Sequence, residues 1–158
     1  MRKLAIAIDG PAGAGKSSVA KILAANMGYA YLDTGAMYRA VTYEVLRREL
    51  TEEKDIVALA AGMDMTVKPE ADAMHVVVNG HDVTDYIRTP EVSARVSAVS
   101  ALAGVRAAMV GIQRRQAAKG GIVLDGRDIG TTVLPHADVK IFLTASAVSY
   151  THLTLPTT

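Results

Sequence analysis

Residues 4–18 read LAIAIDGPAGAGKSS, and the order of residue types within them decides the fold. Leu4 to Ile8 is an unbroken apolar run, the pattern of a strand covered on both faces in a parallel sheet. Gly10, Gly15, Lys16 and Ser17 then satisfy G-x-x-x-x-G-K-[ST]. That spacing suits a polyphosphate. The glycines let successive backbone N–H groups approach phosphate oxygens, and the start of the following helix adds a favourable dipole. Lys16 can reach the outer phosphates and the Ser17 hydroxyl can ligate Mg²⁺. The candidate nucleotide-binding loop is therefore Gly10, Pro11, Ala12, Gly13, Ala14, Gly15, Lys16, Ser17 and Ser18. A helix is predicted over Lys16–Met27, with Val19, Ile22, Leu23 and Met27 on one apolar stripe and Gly28 as its stop.

Outward from this stretch, strands and helices alternate. Tyr29–Leu32 reads as a second strand and Ala36 to about Leu50 as a helix with Met37, Ala40, Val41 and Val45 inward. Glu53–Gly62 reads as a third helix. Val76–Val78 followed by Asn79-Gly80 signals a tight hairpin, hence a small antiparallel insertion. Thr89-Pro90 offers a cap and a first-turn proline for a helix over Glu91–Leu102, and another helix spans Val105–Lys119 before Gly120-Gly121. Ile122–Leu124 and Val139–Leu143 suit central parallel strands. The pattern predicts an α/β sandwich built on a parallel sheet.

At 158 residues, half of them apolar and 21% charged, the chain fits one soluble domain. A formal net charge of +1 gives no global field for nucleic acid or a membrane surface. The absence of cysteine excludes disulfides and thiolate chemistry and fits a reducing cytoplasm. The apolar run at the N-terminus reaches Asp9 too soon for a signal or membrane segment, and the four histidines, at 75, 81, 136 and 152, lack metal-ligand spacing.

A phosphate loop alone serves many reactions. The later stretches YLDTGAMYRAVT, IRTPEVS, VSAVSALAGVR and LDGRDIGTTVLPHADVKIFLTAS are more discriminating, and with the loop they make residues 2–146 resemble bacterial cytidylate kinase. The resemblance implies a P-loop kinase core of the adenylate-kinase type, an antiparallel insertion in a monophosphate-binding region at about residues 36–90, and transfer of phosphate from ATP to CMP or dCMP with Mg²⁺. It implies that Lys16 and Arg127 act in catalysis, and that Thr34, Arg39, Ser97, Arg106, Arg127 and Asp128 bind the acceptor. The residue types suit that chemistry, because guanidinium forks hold a monophosphate and a carboxylate accepts from the exocyclic amine of cytosine. Each has a plainer alternative. Arg39 and Arg106 could be solvated helix charges, Asp128 could cap the turn through Gly130, and Asp33 could orient Mg²⁺-bound water or cap the next helix.

Relatives continue beyond the last predicted strand into a lid and a final core strand, so residues 1–146 read as an incomplete kinase domain. The stretch 147–158 reads as a non-native tail, since VSYTHL resembles a translated transposase adapter used in DNA library preparation. The expected protein is a cytoplasmic monomer that acts on small molecules and binds neither nucleic acid nor membrane. The rival readings are another small P-loop kinase and a nucleotide-binding fragment without catalysis.

Overall fold

The computed structural model describes residues 2–11, 13–69 and 74–144, so Ala12 and the tail at 147–158 lie outside the described residues. In chain order the elements are β1 (Ala5–Asp9), α1 (Lys16–Met27), β2 (Ala30–Asp33), α2 (Thr34–Arg47), α3 (Glu53–Gly62), β3 (Met65–Pro69) and β4 (Met74–Val78). They continue with β5 (His81–Asp82), α4 (Pro90–Ser100), α5 (Ala103–Ala117), β6 (Ile122–Gly126) and β7 (Val139–Phe142). A 3-10 turn covers Thr84–Tyr86 and a π turn covers Ile129–Val133. Two compact units divide them. One comprises the described residues up to Tyr31 and from Lys119 onward, and the other is Leu32–Ala118.

The first unit is built on a sheet of order β2-β6-β1-β7. β1 runs parallel to β6, with Ala5 opposite Ile122 and Asp9 opposite Gly126, and parallel to β7, with Ile6 opposite Val139. Its core gathers Ile6, Ile8 and Val123 with Ala20 and Ala24 of α1. This corrects the predicted stripe in part, for of its four residues Leu23 does pack, half-buried, against that core. The helix turns its two alanines to the sheet and leaves Val19, Ile22 and Met27 exposed, Ile22 to 62%. Small side chains let the helix axis approach the strands at a distance that larger ones would hold open. β7 also departs from expectation. Among the described residues it stands last in the strand order, with Phe142 67% exposed, whereas the apolar run predicted a central strand.

The second unit matches its sequence closely. α2 buries Met37, Ala40, Val41 and Val45, and each such burial of a large aliphatic chain stabilises by ~1.5–3 kcal/mol. α3 has the bounds read from the sequence. β3, β4 and β5 form an antiparallel sheet, and Asn79 (φ 49°) and Gly80 (φ 85°) both adopt the positive φ that a type I′ turn demands. The Thr89 side chain accepts from the Val92 N–H at 3.3 Å to open α4, with Pro90 in its first turn.

The hairpin carries a small polar network. The Asp82 carboxylate accepts from the Thr84 hydroxyl at 2.5 Å and the Thr84 N–H at 2.9 Å, and it faces His75 Nδ1 at 2.7 Å. These bonds, those of Thr84 foremost, lower its pKa from 3.8 to about 2. A lowered carboxyl pKa stabilises the fold above the unfolded value, and that contribution disappears as pH falls from 3.8 toward about 2. The side chain is half exposed, so solvent keeps the contribution small. Thermal melts of the wild type between pH 5 and pH 2 should therefore fall more steeply than those of Asp82→Ala. Parallel slopes would show that the network has no such role.

Candidate functional site

The donor side of the candidate site begins where β1 ends. Asp9 closes the strand, and Gly10 follows at φ 150°, with Leu143 O lying where a Cβ would project. Any side chain at position 10 would overlap that carbonyl, so the approach of loop to strand requires glycine. Ala14 N–H then bonds Pro11 O at 3.3 Å, and Gly15 stands at the N-cap of α1. Gly15 supplies no capping side chain, and the first turn, Lys16-Ser17-Ser18, contains no carboxylate. The N–H groups at the start of a helix need an acceptor, and among the described residues neither the cap nor the first turn offers a capping side chain or a carboxylate. An anion fits there. Lys16 and Ser17 are half-buried at this end of the helix.

The other chemistry-bearing segment of this unit follows β6. Asp125 is buried and accepts from the Tyr31 hydroxyl at 2.7 Å, which anchors the strand end. Arg127 is exposed and makes no ion pair among the described residues, while Asp128 is half-buried. The chain then winds into the π turn. Asp128 closes that turn with its carbonyl oxygen, which accepts from Thr132 N–H at 2.9 Å and Val133 N–H at 3.2 Å, while its side chain provides no cap. The capping alternative for its carboxylate is thereby corrected. The carboxylate that does hold the turn is Asp9: buried, it accepts from Ile129 N–H at 2.7 Å and Gly130 N–H at 2.8 Å. Sequence reading missed this residue as a site element. Its signal was a carboxylate at the end of an otherwise apolar strand, with partners 120 residues away.

In the second unit, Asp33 is the N-cap of α2. Its Oδ1 accepts from Ala36 N–H at 3.3 Å and its Oδ2 takes Arg88 Nη2, also at 3.3 Å, so of the two readings of Asp33 the cap is the one seen. Thr34 is buried in the first turn. Arg39 is no freely solvated charge: its Nη1 donates to Ile87 O at 3.3 Å and to Ser93 Oγ at 2.9 Å. Ser97 is exposed on α4 one turn beyond Ser93, and Arg106 is half-buried at the start of α5. Ser93, Ile87 and Arg88 are further residues that the sequence did not single out. Lys16, Arg127 and Asp128 thus belong to the first unit, and Thr34, Arg39, Ser97 and Arg106 to the second.

A parallel sheet whose first strand runs through a glycine loop into an uncapped helix, accompanied by a separate antiparallel sheet, has the fold of a P-loop kinase. A family profile described as cytidylate kinase matches residues 6–151. The chain is 53% identical over 148 residues to the cytidylate kinase of Desulfitobacterium hafniense, with 92% of the chain and 63% of that protein covered. It is 54% identical to that of Bacillus licheniformis and 53% identical to that of Bacillus subtilis, in each case over 92% of the chain and 66% of the relative. The chain belongs to the cytidylate kinase family. It spans 63 to 66% of the length of these relatives.

Proposed function

We propose that this chain carries donor and acceptor residues of a kinase that moves the terminal phosphate of ATP to CMP or dCMP. The observation that carries the reading is the carboxylate-free, uncapped start of α1 behind Lys16, a seat for a polyphosphate. The name shared by the relatives supports cytidylate as the acceptor. In this reading the loop Gly10–Ser18 cradles ATP and Lys16 neutralises charge on its outer phosphates. Arg39 and Arg127 grip the acceptor phosphate, while Thr34, Ser97, Arg106 and Asp128 settle the nucleoside. Asp128 accepts from the exocyclic amine of cytosine, a bond that uracil, with an oxygen at that place, cannot make.

Phosphoryl transfer depends on positioning and charge neutralisation more than on covalent help. The arginines fix the acceptor for in-line attack, Lys16 and Arg127 stabilise the moving group, and no residue need act as a strong base. Ser17 is the residue that would hold Mg²⁺. When bound, Mg²⁺ would supply charge neutralisation to the transferred phosphate. Cytoplasmic location and a monomeric state belong to the same proposal, and the cysteine-free sequence suits a reducing compartment.

The test is ADP formation by the folded chain given Mg-ATP and, separately, CMP, dCMP, UMP, AMP and shikimate. Turnover with CMP and dCMP alone is expected, and Asp128→Ala should narrow the preference for CMP over UMP by roughly tenfold or more, the range of a lost hydrogen bond to a charged group. Turnover with another acceptor would favour a different small kinase. ATP binding without transfer to any of them would favour a nucleotide-binding fragment.

A further inference from the structure

The hydrogen bonds of Arg39 are distributed unevenly over its guanidinium. Both that it makes within its unit start from one nitrogen: Nη1 donates to Ile87 O at 3.3 Å and to Ser93 Oγ at 2.9 Å. Nε and Nη2 make none among the described residues. Those two nitrogens form the side-on edge of the fork, with parallel N–H vectors matched to two oxygens of a phosphate or carboxylate. The two acceptors on the Nη1 side are themselves well placed. Ile87 is 1% exposed, so its carbonyl is fixed by packing, and Ser93 sits in the first turn of α4, which starts at the Thr89 cap and Pro90. Arg39 projects from α2, whose start is held by Asp33 and, through it, by Arg88.

We infer that Ser93 is a positioning residue: with the Ile87 carbonyl it holds Arg39 by Nη1, so that the Nε–Nη2 edge faces outward, ready to grip the acceptor phosphate. This rests on the proposed role of Arg39. A free arginine side chain has many rotamers, and freezing it on binding weakens affinity; an arginine already held loses that freedom during folding. Ser93 need not touch the ligand to matter. The assignment also predicts selectivity, because Ser93 should affect ligands that carry the phosphate and leave those without it alone.

Two measurements on the full chain test it, in Ser93→Ala and Ser93→Thr variants. The first needs no ligand: ¹⁵N NMR of the Arg39 side chain reports rotation of the guanidinium, which should be slow in the wild type, faster in Ser93→Ala and slow again in Ser93→Thr. The second is calorimetric titration with CMP and with cytidine. Ser93→Ala should weaken CMP about three- to tenfold, the range for losing one ordinary intramolecular hydrogen bond, and leave cytidine unchanged. Ser93→Thr, which keeps the hydroxyl, should bind CMP within about twofold of wild type on the same grounds. CMP affinity unaltered in Ser93→Ala, or CMP and cytidine weakened alike, overturns the assignment while leaving the function standing. A wild type that binds no CMP, even with Arg39 held as described, overturns the function and this assignment with it.

Discussion

Lys16→Ala should slow phosphoryl transfer ~100- to 1000-fold, the loss typical of removing one donor that stabilises transition-state charge. The lysine stands at the start of α1, where the backbone gathers N–H groups but no side chain supplies a second positive charge within that turn. It makes no hydrogen bond or ion pair among the described residues, so its removal leaves no partner stranded. Stability should therefore change by less than about 0.5 kcal/mol, as for an ordinary surface substitution. Steady-state ADP release and a urea melt on the same preparation separate the two effects. Turnover within threefold of wild type would falsify the catalytic role, and a large loss of stability would make the lysine a structural residue.

Asp9→Ala should behave in the opposite way, costing ~2–6 kcal/mol of stability. The carboxylate is 6% exposed and accepts from two backbone N–H groups, of Ile129 and Gly130. Truncating it leaves both donors buried without their partner, and each such orphan costs about 1–3 kcal/mol. Asp9→Asn keeps one carbonyl oxygen but turns its amide NH₂, another donor, toward the second N–H, so it should fall between wild type and alanine. Chemical denaturation of the three proteins gives the order. An alanine variant as stable as wild type would mean that the turn holds itself through its own backbone bonds.

Much of this architecture could be read from residue order, and what escaped has identifiable physical causes. The glycine loop, the inward face of α2, the bounds of α3, the Asn79-Gly80 turn and the Thr89 cap are local features, decided by residues within a few positions of one another. The face of α1 is not. Val19, Ile22 and Met27 are exposed while Ala20 and Ala24, with Leu23 half-buried beside them, meet the core, because closeness of approach, and not side-chain size alone, selects the buried residues there. The sheet position of β7 depends on which strands come to flank it, about which an apolar run says nothing. The π turn was illegible for a related reason. Its bond from Leu134 N–H to Ile129 O, at 2.6 Å, reaches one residue farther than an α-helical bond and has no side-chain signature. Of the candidate site, the residue types were legible and their supports were not. Arg39 and Asp128 could be singled out from the sequence, but Ser93 and Ile87 act through one hydrogen bond each and Asp9 through two, all over long separations.

The way Asp9 holds the segment after β6 has a consequence for redesign. The attachment is made to the backbone of Ile129 and Gly130, so it does not depend on which side chains stand just before them. Arg127 and Asp128 therefore stand just ahead of a turn that is fixed through its backbone. A library that varies those two positions while keeping Asp9 and Gly130 should yield mostly folded proteins, whose turnover then reports on the proposed roles of the two side chains. One that varies position 9 should yield mostly unfolded ones, whatever it gains in chemistry.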